Sequence, residues 1–453
     1  MRANVLSLLF LWPCLMQPAS ALGLLDIYAL AQQKDPAFQA ARQEHLAGQE
    51  NENIARSGLL PSVSLSYQNG VKNWQTSEIL QSKSLLSKET QKVTHHRQYQ
   101  SQSGSLMLTQ PLFDYEAWSR YQAGKAQSRL SEASWNAKSM ELAVRVVNRY
   151  LDVMIAQDEV ALLSEQQATW RQQLRQNQRM IQSGEGTVTE TVETEARLAL
   201  SAAELIVAQG NLEKARHELE SMIGQPIASL SLLDKLAAER FAPIALRPAT
   251  FAQWRAIALK NNAELAAARQ QTDIQHYQTE QQRAGYFPRI QLYASQGLNN
   301  SSSDTTVDQR YKTTSIGIQL NYSLYAGGYS SASVRQTRAL YNKSKFDLER
   351  VTNDALNNLN VFFNQCHNAE RRIKAYTQAV RAAELQIKAV EHGISAGQRK
   401  NIDLLNSRQQ LYSTRLELTK EKYEYIRAWL MLLYHSGQLK PEKIIEIANY
   451  FKQ

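Results

Sequence analysis

Two stretches of this chain, residues 114–182 and 329–396, contain no proline and a single glycine each, Gly124 and Gly393. At 1.5 Å per residue, about 69 helical residues would extend roughly 100 Å. Helices of that length seldom belong to a compact globule. The wider composition agrees, with only 10 Pro and 18 Gly in 453 residues. Ala, Gln, Leu, Glu, Arg and Lys dominate, which favours long helices over a string of short elements.

Each run ends in a glycine turn, Gly184-Glu185-Gly186-Thr187 in the first and Gly397 in the second, and a helix then returns to about Gly224 or Gly437. The second returning helix carries Ile402, Leu405, Tyr412, Leu416, Tyr423, Ile426, Leu430 and Leu433 at coiled-coil spacing. The approaching helix supplies Val380, Ala383, Ile387, Val390 and Ile394. Another heptad line, Leu404, Leu411, Leu418, Tyr425 and Leu432, lies on a different face, with Leu198, Leu205, Leu212 and Leu219 as its counterpart in the first half. Two stripes imply neighbours on both sides, as in the wall of a helical cylinder. An ordinary antiparallel bundle is the alternative on periodicity alone.

The chain is duplicated. Arg56-Ser-Gly-Leu-Leu-Pro61 returns 227 residues later as Arg283-Ala-Gly-Tyr-Phe-Pro288, and Asp35-Pro36-Ala37 returns at the same offset as Asn262-Ala263-Glu264. Beyond Pro111 the offset falls to 212 or 213, so one insertion of about fifteen residues follows the first strand of the first copy. Each copy opens with a helical segment, 24–57 and 251–284, stopped by Gly-x-x-Pro. Alternation with period two follows: Val63, Leu65 and Tyr67; Leu106, Leu108 and Leu112, with Gln110 as the exception; Ile290, Leu292 and Ala294; Ile316, Ile318, Leu320, Tyr322 and Leu324. Polar loops, 68–104 and 299–314, are expected between the strands of each pair. In a soluble protein such strands would cover a core. In an exported one, lipid outside and water inside fits better, and these apolar residues would face lipid. Four strands cannot close a barrel, since about eight is the smallest number that does, so protomers would pool them.

Export is indicated by Arg2, an apolar stretch at 5–15 and Ala19-Ser20-Ala21, with cleavage expected after Ala21. About eleven apolar residues are too few to span a bilayer. Cys14 lies inside that segment, which leaves Cys366 without an intrachain disulfide partner. The net charge of +9 is interleaved with acids and forms no basic block, which argues against nucleic acid. No catalytic, nucleotide or cofactor motif is present. His95-His96 and the pair Asp304 and Asp308 read as solvated loop residues rather than metal ligands.

As a set, Gly23-Leu-Leu-Asp26, Arg56-Ser-Gly-Leu-Leu-Pro61, Gln110-Pro-Leu-Phe-Asp-Tyr-Glu-Ala-Trp-Ser-Arg-Tyr121, Gly184-Glu-Gly-Thr187, Leu324-Tyr-Ala-Gly-Gly328 and Asn401-Ile-Asp-Leu-Leu405 resemble the TolC-like outer-membrane efflux family. The likeness leans to its type I protease-secretion branch and covers essentially the whole mature chain. It implies a mainly α fold with a small β part. Four strands per protomer would contribute to a trimeric outer-membrane β-barrel, above coiled-coil hairpins forming a periplasmic α-barrel. The implied partners are two further copies, an inner-membrane ABC transporter, a membrane-fusion adaptor, exported protein cargo and outer-membrane lipid. No enzyme activity and no cofactor are implied. By position, Arg399 matches a linking Arg of the closed periplasmic entrance, Glu190 its acidic partner and Asp403 the first acid of an entrance ring. Ile394 stands where an entrance Tyr would be, and Asn406 where the second ring Asp would be. The tips at Gly184, Gly186, Thr187 and Gly397 would contact the adaptor.

These readings divide the chain into a signal peptide (1–21), repeat 1 (22–235, strands about 62–113, helical hairpin 114–224), a linker (236–249), repeat 2 (250–440, strands about 289–325, helical hairpin 329–437) and a C-terminal segment (441–453). The expected function is passive protein export in a type I secretion system. The alternative is a channel for small molecules in a multidrug efflux pump.

Overall fold

The computed structural model describes residues 22–82, 90–184, 186–227, 229–237, 241–301 and 309–451. The expected signal peptide, Asp304 and Asp308 lie outside the described residues. The chain is mainly α-helical with one four-stranded sheet. In order the elements are α1 (Leu24–Lys34), α2 (Pro36–Ser57), β1 (Ser62–Ser82), β2 (Thr90–Phe113), α3 (Tyr115–Gln182) and α4 (Val188–Ile223). The second half repeats them as α5 (Phe251–Asn261), α6 (Ala263–Arg283), β3 (Arg289–Ser301), β4 (Gln309–Asn321), α7 (Tyr329–Ser395) and α8 (Asn401–Ser436), and α9 (Pro441–Ala448) comes last. The long helices α3 and α7 are 68 and 67 residues, as the missing prolines require.

The expected opening helices are each broken in two, and the break has a local cause. Asp35 precedes Pro36, which disfavours helical backbone at Asp35. Its carboxylate then accepts from the N–H groups of Ala37 (2.8 Å) and Phe38 (3.4 Å), capping α2. Asn262 makes the same break without a proline, and its Nδ2 donates to the His435 carbonyl at 2.8 Å.

The chain divides into two compact units. One comprises Gln43–Trp135 and Ala263–Asn353 and contains the sheet. Its strands run β1-β2-β3-β4, every neighbouring pair antiparallel. The polar stretches expected as loops are largely strand: β1 and β2 pair out to Ser82 opposite Thr90, and β3 and β4 to Ser301 opposite Gln309. Backbone pairing needs no apolar side chain, so the ladder outlasts the alternation that marks it in sequence. The insertion lies in the strands themselves, since β1 and β2 have 21 and 24 residues against 13 each for β3 and β4.

The other unit holds α1, α4, α5, α8, α9 and the rest of α3 and α7. Its core is aromatic and aliphatic. Trp254 and Trp429 meet edge to face, Tyr150 meets Phe451, and Tyr423, Ile426, Leu430 and Leu433 of α8 are fully buried. Both returning helices end on a left-handed glycine, Gly224 (φ 67°) and Gly437 (φ 70°). On α4 the buried stripe is not the leucine line expected. It is Thr194, Ser201, Ala208, Ala215 and Met222, seven residues apart, while of the leucines only Leu219 is fully buried.

Candidate functional site

The tips of the two helical hairpins, both in this second unit, gather the candidate entrance residues. The first turn is held by Gly184 N–H to Ile181 O (3.0 Å) and Gly186 N–H to Met180 O (2.9 Å). Gly184 needs its positive φ of 80°, and Gly186 is fixed by space, because a Cβ there would sit 2.8 Å from the Ile181 nitrogen. Thr187 then caps α4. Its hydroxyl accepts from Glu190 N–H (3.3 Å), and the Glu190 carboxylate accepts from Thr187 N–H (3.4 Å).

The second tip is built alike. Gly397, at φ 70°, closes α7, while Gln398 and Arg399 both donate their N–H groups to Gly393 O. The stem of Arg399 lies over Gly393, where a Cβ would stand 2.7 Å from its Cγ. Asp403 serves two groups, accepting from Lys400 N–H at 3.3 Å and lying 3.8 Å from the Arg399 guanidinium. Arg399, Asp403 and Asn406 line a cavity of about 460 Å³ between α7 and α8 with Gln386, Ala389 and Val390. Ile394 is half-buried just before the turn. Glu190 and Arg399 are each engaged within their own hairpin, and among the described residues no bond joins them.

What ties the two hairpins is a buried polar network that the apolar periodicity does not reveal. Asn177 of α3, 2 % exposed, accepts from Gln173 and Asn401 (both 3.0 Å) and donates to Thr194 Oγ1 (2.9 Å) and Glu190 O (3.2 Å). All four of its hydrogen-bonding capacities are thus used. Arg408 of α8 donates to Gln173 Oε1 (3.1 Å) and Glu391 Oε1 (3.3 Å). Arg197 of α4 donates to Asn406 Oδ1 at 3.1 Å. A signal existed: Gln166 and Gln173 fall seven residues apart on α3, both buried, where a seam would otherwise be apolar. A polar side chain on such a seam fixes register.

In the other unit, the sheet presents two chemically different faces. Val63 pairs with Leu108, Leu65 with Leu106, Leu292 with Ile318 and Ile290 with Leu320, so the expected apolar residues share one face. The opposite face is polar and bonded across strands: Ser62 to Thr109 (2.7 Å), Ser66 to Ser105 (2.7 Å), Gln291 to Gln319 (3.0 Å) and Asn299 to Tyr311 (2.8 Å). Gln110, the exception in the alternation, donates to Leu59 O (3.1 Å) and Pro111 O (2.7 Å) at the strand base.

Comparison with known proteins gives a consistent picture. Residues 27–225 and 254–438 match the family described as "Outer membrane efflux protein". The alkaline protease secretion protein AprF of Pseudomonas aeruginosa is 41% identical over 444 residues, covering 96% of this chain and 89% of that one. The proteases secretion protein PrtF of Dickeya chrysanthemi is 36% identical, covering 96% and 92%. The outer membrane protein TolC of Escherichia coli is 24% identical, covering 95% and 85%. Among solved structures, CusC superposes with a TM-score of 0.78 at 14% identity, covering 94% of this chain and 95% of that chain. VceC of Vibrio cholerae gives 0.74 at 16%, covering 91% and 96%.

Proposed function

The chain belongs to the outer membrane efflux protein family, and from that membership we propose that it is the outer-membrane channel of a type I secretion system. In this reading it is a passive homotrimeric conduit for protease-like exoproteins, working with an inner-membrane ABC transporter and an adaptor. The observation that carries it is the sheet, with an apolar face outward, a bonded polar face behind it and two open edges. No helix among the described residues is long and apolar enough to cross a membrane. The strands are therefore the candidate spanning elements, with Val63, Leu65, Tyr67, Leu106, Leu108, Ile290, Leu292, Ile316, Ile318 and Leu320 toward lipid. Protein cargo is favoured because the two relatives above 35% identity are both named for protease secretion.

The cleavage expected after Ala21 is supported by the residues just beyond it, since Leu22 bridges to Leu233 and Leu24 and Ile27 are fully buried. We assign Glu190, Arg399, Asp403, Asn406 and Ile394 to the periplasmic entrance, and Gly184, Gly186, Thr187 and Gly397 to the adaptor-facing tips. The more distant TolC relatives favour small-molecule efflux as the second reading. Deleting the gene and measuring both extracellular protease and drug susceptibility separates them. The protein-export reading expects cargo to stay cell-associated with susceptibility unchanged; secretion at the wild-type level removes it.

A further inference from the structure

Where all four strands lie side by side, the sheet carries charge on one face only. That part runs from the Ser301–Gln309 pair to the Gln291–Gln319 pair. Ser62, Ser66, Ser105, Thr109, Gln291 and Gln319 share one side of it through the ladder and the cross-strand bonds given above. Every other residue that the register sets on that side is Ser, Thr, Gln, Asn, Gly, Tyr, Met or Pro. The two cations of this part, Arg310 and Lys312, fall on the opposite side, in step with Ile316 and Ile318. At the strand base, Arg289 is matched by Glu116 in an ion pair.

The polar groups on the uncharged side are turned toward one another. Besides the bonds already described, Asn73 donates to Ser101 Oγ at 2.7 Å, and Gln319 donates to Asn321 Oδ1 at 3.4 Å. The ring in the middle of this side is also laid down. Tyr293 lies opposite Gly317, where a Cβ would stand 3.0 Å from the Tyr293 hydroxyl and 3.1 Å from its Cε1 and Cζ. The phenol therefore lies across β4, over the bare glycine, instead of standing off the sheet. Aromatic cover of a strand glycine also helps to pin register.

These features bear on what can pass over the face. A wall of one charge sign with low-dielectric surroundings focuses its field on the passing solute. Conduction requires contacts weak enough to release what enters. A chain moving over this side meets no fixed charge, and many of the polar groups it passes are already bonded to each other.

We propose that this side of the sheet is a charge-neutral lining, over which extended polypeptide of either net charge slides without being held. The proposal rests on the reading above, in which the polar side faces the lumen of a conduit for protein cargo. It adds that the strands contribute no charge selection, which leaves that task to the entrance and the partner proteins.

The test uses single channels of the full-length protein in planar bilayers. The probes are unfolded peptides of about twenty residues, at most about 70 Å long, biotinylated and held by streptavidin on the outer side. The anchor keeps the tail in the outer part of the channel. One tail is lysine-rich and one glutamate-rich in its far half, each on a glycine–serine background. Wild-type channels should be blocked by the two for times within about threefold of each other, whereas a lining of one sign would separate them by about tenfold or more. Thr313 supplies the comparison, because it is exposed, lies on the uncharged side and faces Gly297, which has open space above it. Thr313→Asp should lengthen the lysine-rich blocks by about tenfold, and Thr313→Lys the glutamate-rich ones. Ser315→Asp and Ser315→Lys repeat the comparison should the Thr313 variants fail to assemble. A tenfold preference of wild type for one sign, with the charged variants responding, overturns the neutral lining and leaves the conduit standing. Conducting channels in which neither sign of substitution changes the blocks place this side off the path, and that result overturns the reading beneath the proposal.

Discussion

Glu190 and Asp403 occupy equivalent places in the two hairpins, each accepting from the backbone N–H three residues earlier. The helix-capping role and the entrance role proposed above therefore fall on the same carboxylates, and substitution can separate them. An exposed pair such as Arg399 with Asp403 contributes only about 0–1 kcal/mol to stability, so its removal should spare the fold. Reconstituted channels carrying Arg399→Ala or Glu190→Ala are expected to conduct more at rest. Glu190→Gln keeps an oxygen acceptor for the cap while removing the charge. If it conducts like Glu190→Ala, charge closes the entrance; unchanged conductance in all three takes these residues out of that role. A second residue reports on the core. Burial drives the Asp158 carboxyl above its ordinary range, only partly offset by the Tyr423 hydroxyl that donates to it at 2.7 Å. A raised folded value means that this group's stabilising contribution is complete below its ordinary pKa of 3.8 and is lost as pH rises through the folded value. Asp158→Asn retains an acceptor for Tyr423 and should raise the Tm at pH 7, with the gain shrinking toward pH 4. A gain independent of pH would show that ionisation is not its source.

At the scale of elements, the missing prolines and the paired glycines already outlined α3, α4, α7 and α8 in the sequence. Glycine placement also ranks the turns by what they tolerate. Gly437 holds φ at 70°, and a Cβ there would lie 2.2 Å from the Asn261 carbonyl oxygen. Gly397 has the same φ of 70° with nothing within 4 Å. Alanine at Gly397 should cost only the left-handed strain, about 1–2 kcal/mol. Gly437→Ala should cost that strain plus displacement of the α5 end, and urea unfolding of the solubilised protein would measure the difference. Equal losses would mean that the α5–α8 contact yields freely. The parts that sequence left hidden have physical reasons. Period two marks only the strand residues with contrasting faces, so the polar outer halves of β1 and β2 read as loop. Period seven gives a spacing without saying which stripe is inside, so Leu198, Leu205 and Leu212 stood in for the smaller Thr194, Ser201 and Ala208. Of the network on Asn177 only the spacing of Gln166 and Gln173 was legible; Asn177, Thr194 and Asn401 are ordinary alone and are joined only by folding.

For the whole molecule, the decisive question is what covers the apolar residues that one copy leaves exposed. On α4 the buried stripe through Ala208 faces its own chain, while Leu200, Ile206 and Val207 are more than half exposed. The helical unit thus leaves an apolar flank unpaired within one copy, as the sheet leaves an unpaired edge. A monomer would hold both in water at a cost of about 25 cal/mol per Å² of apolar surface. In the proposed assembly of copies that cost would be removed. Ile206→Asp should therefore leave the protomer folded while weakening assembly, because the charge would be desolvated only between copies. Ala208→Asp places the same charge inside the protomer and should unfold it. Circular dichroism and sizing of the detergent-solubilised particle distinguish the two outcomes: normal helicity with smaller particles for Ile206→Asp, lost helicity for Ala208→Asp. Full-size Ile206→Asp particles would place this flank away from every seam between copies.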